Sequence, residues 1–315
     1  MSGAPRPERV AVRVAILGMR CGFTDAVVSR MLALPESPVA AIEIVGTVIA
    51  MPKLGDIGNG CSWSRSEDTA IAGSRAGLHD ASFREWLEDL RLGAIVMACF
   101  PWKLPAWLRA LPAFGCLNVH PSLLPDGRGP EPLFWAFRWG LEETGVTVHL
   151  VDGCWDTGPI LAQQTVRLSQ NATVPSLEHD LAIIGGDLVR DVLLSNREGS
   201  LAMRPQAAGN ARYAPNPGEQ DLRIDTSWTA ERAAGFMRAV IPAYGPITVT
   251  ILATGQRCII ADVIALSAPE ADEPPTRWQG EFFSIAFADG RLAVRLAPSA
   301  GGQPVFLPFS TRSRR

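Results

Sequence analysis

The chain has 315 residues, 47% of them hydrophobic and 19% charged, with nine tryptophans and a formal net charge of −3. This length and composition predict a globular protein with two domains, each with its own core. No apolar run approaches the roughly 18 residues of a membrane helix, and the polar first residues do not resemble a secretory signal. We therefore expect a cytoplasmic protein without a membrane partner. A charge near neutral argues against a broad nucleic-acid surface, although not against a local basic patch.

The cysteines of this chain do not form a recognisable disulfide or metal pattern. No Cys-x-x-Cys pair occurs, and the spacing fits neither a disulfide framework nor a zinc site. We expect all of them to be reduced and mostly structural, and we predict no metal. The six are Cys21, Cys61, Cys99, Cys116, Cys154 and Cys258.

Predicted strands and helices alternate over the first two-thirds of the chain, which is typical of a doubly wound, mostly parallel, Rossmann-like α/β sheet. Strands are predicted over residues 10–18, 39–50, 93–99, 115–120, 144–151 and 160–168. Helices are predicted over residues 24–34, with Thr24 as N-cap, and over 82–92, 105–111, 131–140 and 174–195. The glycines after the first strand, Gly18 and Gly22, lack the G-x-G-x-x-G spacing. They predict a tight turn rather than a dinucleotide site.

The pattern changes after residues 199–217, a segment rich in Gly, Pro and Asn that predicts a linker. One helix over 229–241 is followed by short predicted strands over 247–252, 258–265, 282–288 and 291–296, with a loop over 267–278. Short, evenly spaced strands favour a small, open, OB-like β-barrel. We therefore predict a catalytic domain over 1–205 and a C-terminal β-barrel domain over 206–315.

Residues 117–125, Leu-Asn-Val-His-Pro-Ser-Leu-Leu-Pro, carry the most chemical information. Asn118 and His120 are two residues apart on a predicted strand, so their side chains share one face. The pair is also compatible with a polar strand end of no catalytic role, and Ser122 with His120 allows a nucleophilic interpretation. His149 lies within a predicted strand, where a structural role is equally compatible. Asp156 is the third polar group that we expect beside Asn118 and His120.

The sequence around these residues resembles that of the folate-dependent formyltransferase family. Asn118-Val-His-Pro-Ser-Leu-Leu-Pro125 is followed in order by Arg128-Gly129, by Glu143-Thr-Gly-Val-Thr-Val148 and by Asp156-Thr-Gly-Pro-Ile160. Such a long ordered series is specific, unlike a single short motif. Weaker resemblance extends over residues 10–198, and the tail resembles the appended barrel of methionyl-tRNA formyltransferase.

This resemblance implies catalysis by Asn118, His120 and Asp156, with N10-formyltetrahydrofolate as co-substrate and without metal. Asn118 would donate to the oxyanion, His120 would move a proton, and Asp156 would orient His120 or a water. The resemblance also implies that two loops hold the pterin, mainly through main-chain groups. The predicted cofactor-binding residues are Ala98, Phe100, Leu104, Asp152, Gly153, Cys154 and Trp155.

The sequence says less about the molecule that accepts the formyl group. Residues 51–63 lack the basic, Gly-rich insertion that methionyl-tRNA formyltransferases carry there, and phosphate contacts need clustered Lys or Arg. Arg128-Gly-Pro-Glu131-Pro replaces the commoner Arg-Gly-Ala-Ala-Pro, which makes Arg128 and Glu131 candidate substrate-binding residues. Glu131 is equally compatible with a helix N-terminal acid.

These departures favour transfer of the formyl group to a small amine, such as an amino sugar, an amino acid or a natural-product intermediate. The alternative is a methionyl-tRNA formyltransferase acting on initiator methionyl-tRNA. A formyl-folate hydrolase and a catalytically inactive binding module are lesser alternatives. The sequence leaves the oligomeric state open.

Overall fold

The computed structural model describes residues 11–33, 42–51, 63–66, 68–72, 74–207, 209, 211–269, 273–298 and 306–307. The chain divides into two compact units. The first unit comprises Met1–Gly129, Thr144–Val166 and Glu178–Tyr213, and the second comprises Pro130–Glu143, Arg167–Leu177 and Ala214–Arg315. The second unit thus takes two segments from within the predicted catalytic domain, and a boundary after residue 205 stays a prediction.

The first sheet has eight strands in the order β3-β4-β2-β1-β5-β6-β7-β8. Its strands are β1 (Val12–Gly18), β2 (Ile42–Ala50), β3 (Trp63–Ser66), β4 (Thr69–Ala72), β5 (Ala94–Ala98), β6 (Cys116–His120), β7 (Glu143–Leu150) and β8 (Ile160–Arg167). Pairing is parallel from β4 through β2, β1 and β5 to β6, while β3–β4 and β6–β7 are antiparallel. The predicted mostly parallel sheet is confirmed.

Helices connect these strands, as expected for a parallel sheet. They are α1 (Gly22–Leu32), α2 (Ala81–Asp89), α3 (Ala106–Ala110), α4 (Pro132–Trp139) and α5 (Val174–Glu198), with a 3-10 helix over Arg75–His79. Every residue of β5 is buried, which explains why the central strands are continuous apolar runs rather than alternating ones. The strand pair β3–β4 has no counterpart in the predicted elements.

The start of α1 differs from the prediction. The N-cap is Cys21, and the helix begins at Gly22. Thr24 is buried, and its hydroxyl donates to the carbonyl of Ala98 at 3.0 Å. Thr24 as N-cap is therefore wrong, because its side chain joins the helix to the end of β5 instead of closing the first turn.

The second unit contains a seven-stranded, mainly antiparallel sheet with the path β12-β13-β14-β11-β10-β9, and β15 pairs with β11. Its strands are β9 (Arg223–Asp225), β10 (Ile247–Thr250), β11 (Arg257–Ser267), β12 (Thr276–Gln279), β13 (Phe282–Ala286), β14 (Arg291–Leu296) and β15 (Phe306–Leu307). Helix α6 (Ala230–Tyr244) buries Phe236, Met237 and Val240. The predicted small β domain after the Rossmann-like sheet is confirmed, and among the described strands the path has two free ends.

The predicted loop over 267–278 is wrong at its end, because Thr276–Gln279 forms β12 against β13. The two prolines directly before this strand, Pro274 and Pro275, had favoured the loop prediction. None of the helices in the described part of the chain is both long and apolar enough to cross a bilayer.

Candidate active site

The carboxyl end of β6 carries Asn118 and His120, and both reach Asp156. The amide Nδ2 of Asn118 lies 3.4 Å from Oδ1 of Asp156, and Nδ1 of His120 lies 4.0 Å from the same oxygen. The side chains of His120 and Asp156 are 7% and 10% exposed. The structure therefore brings the three predicted residues into one buried cluster, close to hydrogen-bond distance of each other.

His149 is a fourth member of this cluster. Because β7 runs antiparallel to β6, His149 pairs directly with Asn118. The amide Nδ2 of Asn118 lies 3.2 Å from Nε2 of His149, and Nδ1 of His149 lies 2.8 Å from the carbonyl of Leu150. No local pattern favoured this role for His149, because the register of the two strands decides it.

Burial, and to a lesser degree the charge of nearby His120, together lower the pKa of His149 to about 4, against the opposing effects of the hydrogen bond to Leu150 and the charge of Asp156. His149 is therefore neutral near pH 7. Its Nδ1–H donates to Leu150, which leaves a lone pair on Nε2 to accept from the Asn118 amide. A neutral His149 thus fixes the orientation of Asn118.

The tautomer of His120 follows from its other contact. Nε2 of His120 lies 2.9 Å from the carbonyl oxygen of Gly127, which can only accept. Nε2 therefore carries the proton, and Nδ1 is the nitrogen that faces Asp156. In its neutral form His120 presents a proton-accepting nitrogen beside a carboxylate.

Asp156 is held in an uncommon backbone conformation, with φ of +54°. Its Oδ2 accepts from the backbone N–H of Gly129 at 2.9 Å. Two residues later, Gly158 lies so close to β7 that a Cβ would be 1.8 Å from the carbonyl oxygen of Leu150. Only glycine allows this approach, so the Asp156-Thr-Gly sequence brings the carboxylate against the strand ends.

Gln206 holds the loop that carries Asp156. Its Nε2 donates to the carbonyls of Asp156 and Gly158, both at 2.8 Å. Its Oε1 accepts from Nε and Nη2 of Arg128, at 3.0 and 2.6 Å. Gln206 was not among the predicted site residues, because it lies 50 residues after Asp156 in a segment with linker composition.

Two predicted substrate-binding residues therefore have partners within the chain. The guanidinium of Arg128 contacts Gln206 in the first unit. Glu131, the N-cap of α4 in the second unit, accepts a hydrogen bond from the hydroxyl of Tyr244. A role for Arg128 and Glu131 in acceptor binding stays a prediction.

The first predicted pterin loop begins at the end of β5. Ala98, Phe100 and Leu104 are all buried. Phe100 and Leu104 belong to one apolar cluster, against which Trp102 and Val151 pack. Because Val151 precedes the second predicted loop, this cluster brings the starts of both loops together.

The second predicted pterin loop is more exposed. Asp152 closes it, since its carboxylate accepts from the Thr157 hydroxyl at 2.8 Å and from the Cys154 N–H at 2.9 Å. Trp155 is 44% exposed, and Nζ of Lys103 lies 5.4 Å from its ring centroid. A Cβ at Gly153 would be 3.9 Å from the guanidinium of Arg109 on α3. Both predicted loops thus meet beside the catalytic cluster.

The nucleophilic alternative receives no support from the geometry. The hydroxyl of Ser122 donates to the carbonyl of Asp126 at 2.8 Å, and Nε2 of His120 faces Gly127 instead. The five described cysteines are free thiols, and Cys61 lies outside the described residues. Within the described ranges no group of three or more His, Cys, Asp or Glu side chains is arranged to hold a metal ion. The absence of a metal stays a prediction.

Comparison with known proteins gives the class of the chain. Residues 59–193 match the family model described as formyl transferase. A methionyl-tRNA formyltransferase of Synechococcus sp. is 33% identical over 227 residues, which are 68% of this chain and 68% of that protein. The chain belongs to the folate-dependent formyltransferase family.

Solved structures share the fold at lower identity. An N-formyltransferase from Helicobacter canadensis, in complex with folinic acid and dTDP-3-aminofucose, has a TM-score of 0.59 at 16% identity, over 91% of this chain and 99% of that one. HypX from Aquifex aeolicus, in complex with tetrahydrofolic acid, has a TM-score of 0.57 at 17% identity. The match covers 90% of this chain but 43% of HypX.

Proposed function

We propose that this formyltransferase moves the formyl group of N10-formyltetrahydrofolate to the primary amine of a small molecule, such as an amino sugar, an amino acid or a natural-product intermediate. Asn118, His120 and Asp156 perform the transfer. The observation that carries the choice of a small acceptor is the pairing of arginines with carboxylates in the β-rich second unit.

The folate fits the two loops beside the cluster, and when bound it supplies an activated formyl group. Phe100 and Leu104 offer an apolar wall, and main-chain groups of Asp152 to Trp155 offer donors and acceptors to a pterin edge. These are groups that a pterin requires. The formyl carbon would then be positioned by the cluster of Asn118, His120 and Asp156.

His120 is the group that accepts the proton of the attacking amine. Its Nε2–H is occupied by Gly127, so the lone pair of Nδ1 is the basic site. Protonation there creates an imidazolium 4.0 Å from the Asp156 carboxylate. The ion pair stabilises the charged form, and the proton can then pass to the departing nitrogen.

Asn118 stabilises the oxygen that becomes negative as the amine attacks. One hydrogen of its Nδ2 is directed to His149 at 3.2 Å, and the other to Asp156 at the longer distance of 3.4 Å. The longer bond is the weaker one, so this hydrogen is available to the oxyanion. His149 keeps the amide in this orientation and is a positioning residue.

The position of Asp156 depends on Gln206. Two hydrogen bonds from Gln206 hold the carbonyls on either side of Thr157, while Arg128 fixes the glutamine itself. These bonds offset the cost of the positive φ at Asp156, which is about 1–3 kcal/mol for a non-glycine residue. We infer that Gln206 and Arg128 are positioning residues for the carboxylate.

The second unit supports a small acceptor rather than a nucleic acid. Counted over its three segments, the second unit contains 12 arginines and 13 acidic residues, with no lysine. Within this unit several of the described arginines form ion pairs with carboxylates, which neutralises charge that phosphate binding needs. The pairs are Arg167–Glu143, Arg223–Glu219, Arg277–Glu273, Arg291–Glu273 and Arg295–Asp262.

The experiment is a transfer assay with purified protein and 10-formyltetrahydrofolate against a panel of primary amines. Because the Helicobacter canadensis enzyme was solved with dTDP-3-aminofucose, this amino sugar is a rational first acceptor, followed by amino acids. We expect a formylated small product by mass spectrometry. Efficient transfer to charged initiator tRNA, with none to the panel, would overturn the proposal.

Methionyl-tRNA formyltransferase activity is the second candidate. It is favoured by relatives of that name, which are 32–34% identical over 221–241 residues. This candidate predicts a steep loss of transfer to charged tRNA as salt rises, because each phosphate contact releases counterions. A salt-independent rate with a small amine supports the first proposal instead.

A further inference from the structure

Two cysteines lie together at the ends of neighbouring strands, outside the catalytic cluster. Gly18, the last residue of β1, pairs with Ala98, the last residue of β5. Cys21 follows the first of these strands as the N-cap of α1, and Cys99 follows the second directly. Both thiols are half-buried, so a small reagent can reach them.

Two hydrogen bonds join Cys21 to the residue directly before Cys99. Sγ of Cys21 lies 3.3 Å from the hydroxyl oxygen of Thr24, which in turn donates to the carbonyl of Ala98 at 3.0 Å. The two cysteines therefore form a local pair at adjoining strand ends rather than two separate sites.

Cys21 differs in reactivity from the two buried cysteines. The hydrogen bond from Cys99 lowers the pKa of Cys21 to about 5, with a further contribution from Thr24, against the effect of burial. Burial raises the pKa of Cys116 and of Cys258 to about 12. The thiolate is the nucleophilic form, so Cys21 is the reactive one.

We propose that Cys21 and Cys99 form an oxidative modification site, at which a peroxide converts the dithiol to an intramolecular disulfide. The Cys21 thiolate attacks one peroxide oxygen, the O–O bond breaks, and protonation releases one water and leaves Cys21 as sulfenic acid. The Cys99 sulfur then attacks the Cys21 sulfur, and a second water leaves with the thiol proton. In sum, two thiols and one hydrogen peroxide give one disulfide and two waters.

The disulfide has a consequence that rests on the proposed function. Cys99 stands between Ala98 and Phe100, two residues proposed to hold the folate. A disulfide would tie the start of this loop covalently to the N-cap of α1. Oxidised protein should therefore bind folate more weakly than reduced protein.

The test uses the full chain, hydrogen peroxide as oxidant and a maleimide to block remaining thiols before digestion. We expect non-reducing peptide mass spectrometry to show the Cys21–Cys99 crosslink as the main product, reversible by dithiothreitol. In Cys99→Ser protein, which keeps a hydrogen-bond donor but cannot form the disulfide, Cys21 should instead be trapped as sulfenic acid by dimedone. A different crosslink, or unmodified Cys21 while exposed Cys154 is oxidised, would overturn the proposal.

Folate binding is measured on the same samples with 5-formyltetrahydrofolate. We expect oxidation to weaken binding by the wild type about tenfold, which corresponds to loss of about one good contact, and to leave Cys21→Ala unaffected. Equal affinity of the crosslinked and reduced wild type would overturn the coupling to folate. Absence of binding in the reduced protein would instead count against the proposed function, so the two failures are distinguishable.

Discussion

The two units use polar side chains in opposite ways. At the strand ends of the first unit, Asn118, His120, His149 and Asp156 are buried or nearly so and contact one another. In the second unit several arginines form ion pairs with carboxylates, some of them at the surface. Buried polar clusters are costly unless every group has a partner, and surface pairs contribute little.

This difference indicates where function lies. In the first unit two groups have only long contacts: Nδ1 of His120, 4.0 Å from Oδ1 of Asp156, and the Asn118 N–H that reaches Asp156 at 3.4 Å. In the second unit the ion pairs among the described residues neutralise the charge of several arginines. Replacements in the first unit should therefore change the rate of transfer, and replacements in the second should change stability alone.

After replacement of His120 itself, the largest effect is expected for Asp156→Asn. The amide keeps the size of the side chain and an oxygen for the Gly129 N–H, but it loses the charge that stabilises the His120 imidazolium. We expect kcat for formyl transfer to fall about 100- to 1000-fold, with the melting temperature within a few degrees of wild type. A kcat within a factor of about three of wild type would show that the carboxylate has no such role.

A smaller effect is expected for His149, which acts through Asn118. His149→Leu removes the acceptor for the amide, so we expect kcat to fall about 10- to 100-fold, within the range for disturbed oxyanion donors. His149→Gln retains an acceptor oxygen and should recover part of the loss. If both variants are equally impaired, the orientation of Asn118 does not depend on this hydrogen bond.

The depressed pKa of His149 also predicts a pH effect on stability. The neutral form is favoured in the folded chain, whereas the unfolded chain binds a proton below the ordinary value of 6.5. This stability is present above pH 6.5 and is lost as pH falls through about 4. The difference in unfolding free energy between wild type and His149→Gln, measured by urea titration, should shrink over this window. A constant difference would contradict the shifted pKa.

A moderate effect is expected for Gln206. Gln206→Glu keeps an oxygen for Arg128 but loses the N–H donors to the carbonyls of Asp156 and Gly158. We therefore expect kcat to fall about tenfold, which corresponds to the net free energy of roughly one hydrogen bond. The pH profile of kcat should shift, because the carboxylate moves relative to His120. A change in melting temperature with an unchanged kcat and pH profile would make Gln206 merely structural.

The smallest effect on transfer is expected in the second unit. Arg291 is buried and donates to Ser284 and Pro274, both at 3.0 Å, beside the Glu273 carboxylate. Arg291→Met should lower the unfolding free energy by about 2 kcal/mol, because it leaves buried polar groups without this partner. The rate per folded molecule should stay within about twofold of wild type.

The matched control is Arg295→Met, which breaks an exposed pair with Asp262. It should change the unfolding free energy by less than about 1 kcal/mol. A large loss of kcat in either arginine variant, with folding intact, would place part of the chemistry in the second unit.

Much of the first unit could be predicted from the sequence. The apolar runs of β1 and β5 and the period-two spacing of Asn118 and His120 are local signals, so the parallel sheet and the strand end followed from them. The resemblance of the ordered motifs to the formyltransferase family predicted Asp156 as the third residue of the site. All three proved to be neighbours in space.

The rest depended on pairings that no local pattern encodes. His149 joined the cluster because the β6–β7 register sets it opposite Asn118. Gln206 returns to Asp156 after a separation of 50 residues. Thr24 has the composition of an N-cap, but tertiary contact with Ala98 directs its hydroxyl elsewhere. The stretch over 52–62, where a basic insertion was sought, lies outside the described residues.

The most direct test is single-turnover formyl transfer by His120→Asn protein, with 5-formyltetrahydrofolate affinity measured on the same sample. The account predicts an affinity within about threefold of wild type and a transfer rate reduced at least about 1000-fold, since the proton acceptor is lost while the folate loops are untouched. Transfer within about tenfold of the wild-type rate, at equal folate affinity, would contradict the claim that His120 performs the chemistry.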